Sequence, residues 1–193
     1  MKAEYNRKKG EHMNRKNITT FLSDLLVHDY LSGRGKYYAK EVSLDYGTVN
    51  VKRVDFMQFE PKGVIYQSDI EKGIFTCYEV KSCKEDVYSG NGLNFIGEKN
   101  YIVTTMDCWK EIQPDLRSGK LWEHIKECCP EFSGHFGVIV AIPYAADVLE
   151  EYEHPTKLSN DQKWTLKVIY PCHISGRKRS TTELLFCMLR SGH

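Results

Sequence analysis

The chain has no apolar run approaching the ~18 residues needed to cross a bilayer, which excludes a membrane-spanning helix. Its start, Met1-Lys2-Ala3-Glu4-Tyr5-Asn6-Arg7, lacks the apolar core of a signal peptide, so a cytoplasmic location is expected. Net charge is nearly absent too: the formal sum is +1, which removes the reading of a uniformly basic nucleic-acid binder. No Cys-x-x-Cys pair occurs. A zinc site at Cys128-Cys129 with His124 and His135 is therefore not expected. The cysteines number seven, and that odd count without an export signal argues for reduced thiols, several of them within apolar strands. Gly33-Arg34-Gly35-Lys36 lacks the preceding strand and the spacing of a Walker phosphate loop and reads as a flexible basic loop. There is no internal repeat and no low-complexity segment.

What is present is the composition of a soluble globular protein. Of 193 residues, 41% are apolar and 27% charged, and a chain of that length buries about 70% of its unfolded surface. Residues 1–16 are polar and aperiodic and are expected to form a flexible N-terminal tail, leaving 17–193 as one domain. Ile18 to Leu31 carries Phe21, Leu22, Leu25 and Leu26 at helical spacing, with Asn17 or Thr19 as N-cap and Ser32-Gly33 as stop. Asp24 and His28 on that helix read as solvated. Strands are expected at Tyr38–Asp45, at Val51–Phe59 and, after a turn at Pro61-Lys62-Gly63, at Val64-Ile65-Tyr66. Further strands are expected at Phe75–Lys81, Tyr101–Thr105, Gly137–Ile142 and Trp164–Tyr170. Gly137–Ile142 is apolar throughout and is expected to be buried on both faces. Asp107 is a candidate cap of a short helix, Leu121–Cys129 reads as a helix, and 145–161 as an irregular acidic stretch. The closing helix has a Ser180-x-x-Glu183 capping box.

The informative stretch is Phe75-Thr76-Cys77-Tyr78-Glu79-Val80-Lys81-Ser82. Alternation on a strand puts Glu79 and Lys81 on one side, opposite Tyr78 and Val80. A carboxylate and an ammonium on a strand built for burial are costly unless they meet each other, a metal or a substrate. Asp55 sits on an earlier strand, opposite in face to Val54 and Phe56. If the two strands are neighbours, Asp55, Glu79 and Lys81 converge as two hard oxygen ligands and a cation, a set suited to Mg²⁺-assisted phosphodiester hydrolysis. An exposed ion pair is the plainer account of a Glu-x-Lys on a strand.

Asp55 with Glu79-Val80-Lys81 resembles the Asp…Glu-x-Lys signature of the PD-(D/E)xK, or restriction-endonuclease-like, nuclease superfamily. More closely, Tyr78-Glu79-Val80-Lys81-Ser82, Glu85-Asp86-Val87, the strand Asn100-Tyr101-Ile102-Val103 and basic Arg177-Lys178-Arg179-Ser180 resemble, in that order, the MmcB-like DNA-repair nucleases and their phage relatives. The similarity runs from about Lys40 to Arg190. It departs from the superfamily in having Val54, not proline, before Asp55, and in a longer gap between Asp55 and Glu79.

The resemblance implies an α/β (α+β) fold with a central mixed β-sheet flanked by helices. It implies a metal-dependent nuclease acting on DNA, in which Asp55 and Glu79 bind Mg²⁺ or Mn²⁺, Lys81 positions the attacking water and Glu41 is an auxiliary acid. The connection 83–99 would carry a helix across the sheet, with Asp86 and Lys99 lining the cleft. Arg177, Lys178 and Arg179 would hold phosphates at the start of the last helix. A catalytically inactive nucleic-acid-binding or interaction module on the same fold is the alternative, and an incidental Glu-x-Lys in a structural protein is a third.

Overall fold

A computed structural model describes residues 13–63, 65–132 and 134–191, and most of the expected N-terminal tail lies outside them. The first helix starts earlier than its apolar period suggests. Asn14 is the N-cap, its side chain accepting from the Asn17 backbone N–H at 2.9 Å, and α1 runs Arg15–Leu26. Neither Asn17 nor Thr19 caps it, because the polar first turn contributes backbone bonds without contributing to the apolar stripe. A π-helical turn, Val27–Leu31, continues α1 to the expected stop at Ser32.

The strands are β1 (Tyr37–Leu44), β2 (Lys52–Glu60), β3 (Ile74–Val80), β4 (Lys99–Thr105), β5 (Gly137–Pro143) and β6 (Trp164–Tyr170). They form one six-stranded sheet in sequence order β1-β2-β3-β4-β5-β6. β1, β2 and β3 pair antiparallel, β3-β4 and β4-β5 parallel, and β5-β6 antiparallel. The fold is thus α/β with a mixed sheet, as expected.

Between β2 and β3 there is no strand at Ile65-Tyr66. The chain turns there and forms the short helix α2 (Gln67–Glu71), and Val64 lies outside the described residues. Three β-prone residues after Pro61-Lys62-Gly63 are too few to form a strand without a neighbour to pair with. The β3-β4 crossover holds a single helical turn, α3 (Lys84–Val87), and then irregular backbone. α4 (Met106–Ser118) is capped by Thr105, whose side chain accepts from Cys108 N–H, and not by Asp107, which sits one position inside the first turn. α5 (Lys120–Cys128) follows directly. The stretch expected to be irregular contains α6 (Val148–Glu153), with Asp147 as N-cap. α7 (Thr181–Ser191) closes the described chain, and Ser180 Oγ accepts from Glu183 N–H at 3.1 Å.

Apolar side chains pack on both faces of the sheet. One layer joins Met57, Phe59, Phe75, Cys77, Ile102, Val138 and Val140 to residues of α4, α5 and α7 and to Leu93, Phe95 and Ile96. The other joins Phe56, Tyr78, Val80, Val103 and Ile139 to Leu22, Leu26 and Leu31. β5 is buried from Gly137 through Ile142 because helices cover both its faces. Each fully buried Leu or Ile stabilises by about 1.5–3 kcal/mol, so these layers hold the strands rigid enough to position polar groups at their ends.

Among the described residues no helix is long and apolar enough to cross a membrane. All seven cysteines are unpaired.

Candidate functional site

The ladder between β2 and β3 ends at Phe56↔Tyr78. One step further, Asp55 stands across from Glu79, but backbone pairing has stopped. The Asp55 carboxylate fills the gap, Oδ2 accepting from Val80 N–H at 2.8 Å. On the other side of β2, the pairs Lys40↔Phe56 and Val42↔Val54 leave Glu41 facing Asp55. Three acids therefore occupy adjacent places on three neighbouring strands.

Glu41 interrupts its own strand with a left-handed backbone, φ 53°. Its carboxylate is turned to Arg53, Oε2 to Nε 2.6 Å, with both side chains more than half exposed. The expected auxiliary acid is thus beside Asp55 in the sheet while its charge is matched by an arginine.

Glu79 and Lys81 do emerge on one face of β3, and that face is closed. Glu79 is 0% exposed and Lys81 4%. The segment after α3 roofs them. Lys81 Nζ donates to the Asn91 carbonyl at 2.7 Å, and Asn94 N–H donates to Glu79 Oε1 at 3.1 Å. The Asn94 side-chain amide donates to Arg53 O at 2.8 Å, tying the roof to the start of β2. Gly92 fits because it has no side chain: a Cβ there would lie 2.6 Å from Glu79 Oε2 and 2.7 Å from Lys81 Nζ. The Glu79 carboxyl and the Lys81 ammonium crowd one point beneath that glycine.

Glu79 Oε2 is buried and has no hydrogen-bond partner among the described residues. Burial, followed by repulsion from Asp55, pushes the Glu79 carboxyl up to about 8, against the opposing pull of Lys81 and the Asn94 N–H. A carboxyl raised in this way favours its protonated form near neutral pH. Mg²⁺ is commonly held by one or two carboxylates plus waters and substrate phosphates, so an orphaned Glu79 oxygen beside Asp55 fits such an ion. Among the described residues no three His, Cys, Asp or Glu side chains converge as a complete ligand set.

The remaining expected residues lie elsewhere. Asp86 does not line the site: its Oδ2 accepts from Ser82 N–H at 2.9 Å and Ser82 Oγ at 3.1 Å, fixing the turn that follows Lys81. Lys99 pairs with Thr76, three positions from the Glu79↔Ile102 pair, or about 10 Å along the strands. Arg177 is held at the beginning of β3, donating to Glu98 Oε1 at 2.7 Å and Thr181 Oγ1 at 2.6 Å and lying over the Phe75 ring. Arg179 is gripped by Asp45, Glu131 and Glu183, each at 2.7–2.9 Å. These two guanidinium groups are employed inside the fold, which corrects their expected role as free phosphate holders. In the basic run Lys178 remains exposed.

Sequence reading did not single out Asn91, Gly92 or Asn94. Gly90-Asn91-Gly92 is a turn signature, and two glycines around an asparagine mark a place where backbone passes close to something. What it passes close to is visible only in three dimensions.

The His124–Cys128 approach, Nε2 to Sγ 3.6 Å, forms no nucleophilic dyad. His124 Nε2 is also 3.0 Å from the Val87 carbonyl, so its proton points there, and burial raises the Cys128 thiol above its ordinary range.

Compared with models of protein families, with curated proteins and with solved structures, the chain matches none.

Proposed function

We propose that the protein is a metal-dependent nuclease hydrolysing phosphodiester bonds of DNA, on a restriction-endonuclease-like core. Asp55 and Glu79 would hold Mg²⁺ or Mn²⁺ between the ends of β2 and β3, and Lys81 would orient the attacking water. The reading rests above all on Glu79 Oε2, a buried carboxylate oxygen left without a partner next to an ammonium and one strand from a second carboxylate. A fold avoids such an atom unless it serves something. An ion held there would polarise the phosphate and activate a water. Lys81, one residue beyond the end of β3, would supply a cation for the charge that gathers on phosphate oxygens in the transition state.

A second reading keeps the fold without the chemistry: a nucleic-acid-binding or interaction module. The pairing of Glu41 with Arg53 favours it, because that removes a third acid from the centre.

Incubation of the protein with plasmid and single-stranded DNA in Mg²⁺ or Mn²⁺ separates the two. Cleavage that disappears in the double variant Asp55→Ala, Glu79→Ala with the fold retained supports the nuclease. Salt-sensitive binding with no cleavage and no metal effect supports the module.

A further inference from the structure

The roof over Glu79 and Lys81 has two parts of different character. Leu93, Phe95 and Ile96 belong to the main apolar layer and Asn94, also buried, is tied to Arg53 O, so this part is anchored. Before them, Ser89, Gly90 and Asn91 are exposed and Gly92 half-buried, and on the other side Tyr88 is held by its hydroxyl, which donates to Asp115 Oδ2 at 3.0 Å. A four-residue span is thus slung between two fixed points. Its backbone is left-handed at Gly90 (φ 77°) and Gly92 (φ 84°), and Leu93 just beyond it is left-handed too (φ 61°), a conformation that a branched side chain resists. The span's own bonds are few and light: Ser89 Oγ donates to Asp86 O at 2.9 Å and accepts from Asn91 N–H at 3.4 Å.

This span nevertheless delivers a hydrogen bond to the Lys81 ammonium, through the Asn91 carbonyl, and lays Gly92 over both Glu79 and Lys81. A carbonyl oxygen 2.7 Å from an ammonium occupies the place an anionic oxygen of a ligand would take.

We infer that Ser89–Gly92 is an autoinhibitory flap. It plugs the Glu79–Lys81 site with the Asn91 carbonyl standing in for a phosphodiester oxygen, and an incoming phosphodiester displaces it. The substrate role of the uncovered site rests on the nuclease reading, whereas the flap itself is a statement about access to Lys81. The two are tested separately.

Access is read by labelling the full-length protein with limiting acetic anhydride and following Lys81 by peptide mass spectrometry, with exposed Lys178 as the reference. In the wild type Lys81 labels far more slowly than Lys178. Gly92→Ala brings a Cβ onto Glu79 Oε2 and Lys81 Nζ and strains a left-handed position, so it drives the flap open and speeds Lys81 labelling by about tenfold or more. Ser89→Ala leaves the site untouched and loosens the closed span, with a gain of roughly two- to tenfold. If Gly92→Ala does not fold, Ser89→Ala decides alone. Wild-type Lys81 labelling as fast as Lys178, or folded variants labelling at the wild-type rate, overturns the flap. Fast labelling in Ser89→Ala, whose site is untouched, with no cleavage of DNA in Mg²⁺ or Mn²⁺ keeps the flap and removes the nuclease reading. Cleavage with unchanged labelling does the reverse.

Discussion

At the scale of single residues, Glu79 sets the behaviour of the site. Its carboxyl keeps a proton up to about pH 8, whereas an exposed glutamate releases it near 4.5. A divalent ion held there as proposed would have to displace that proton below pH 8. Apparent affinity for Mn²⁺ is expected to rise by roughly tenfold per unit between about pH 6 and 8, with one proton released, and to level off above. Calorimetry in buffers of different ionisation enthalpy measures both quantities, and an affinity flat across that range contradicts the assignment of Glu79 as ligand. The sequence made Glu79 and Lys81 legible because a strand's two-residue period forces them onto one side. That this side is the interior was not legible, since the cover comes from Asn91, Gly92 and Asn94, distant along the chain and of ordinary loop composition. Glu41 was named from the resemblance alone; its place beside Asp55 comes from the β1-β2 register, and its preference for Arg53 from a left-handed backbone that no periodicity encodes.

Among elements, the C-terminal segment shows why a charge run is a poor guide to role. Arg177-Lys178-Arg179 looked like a phosphate cradle at a helix start, yet Arg179 links the end of β1, the chain after α5 and the first turn of α7 through Asp45, Glu131 and Glu183. Its hydrogen bonds hold the Asp45 and Glu131 carboxyls below their ordinary range. Groups lowered in this way contribute stability above their unfolded values near pH 4, and lose it as pH falls through the lowered folded values. Arg179→Ala is therefore expected to cost about 1–3 kcal/mol at pH 7, discounted for the partial exposure of its partners, with the difference from wild type shrinking below about pH 4. Urea unfolding at several pH values measures this, and an unchanged midpoint at pH 7 contradicts it. The helices were the more legible elements wherever an apolar stripe was long, as in α1 and α7. Their first turns and the short α2, α3 and α6 were less so, because capping and local bonds leave little trace in hydropathy.

For the whole molecule, a mixed sheet in sequence order puts Glu41, Asp55 and Glu79 on successive strands and packs apolar layers on both faces. Strand alternation and the continuous apolar run at β5 conveyed most of that sheet. The turn at Tyr46-Gly47-Thr48 conveyed the antiparallel β1-β2 start, whereas the parallel β3-β4 and β4-β5 pairings, and the one-step gap in the β2-β3 ladder that Asp55 fills, left no trace in the sequence. The proposed chemistry requires two carboxylates sharing one divalent ion beside Lys81. An anomalous difference map from crystals soaked in Mn²⁺ near pH 8.5 tests that directly. It should show a peak within about 2.0–2.6 Å of both Asp55 and Glu79 oxygens, lost in Glu79→Gln. A map without density between those two side chains, at a Mn²⁺ concentration that saturates binding in solution, would contradict it.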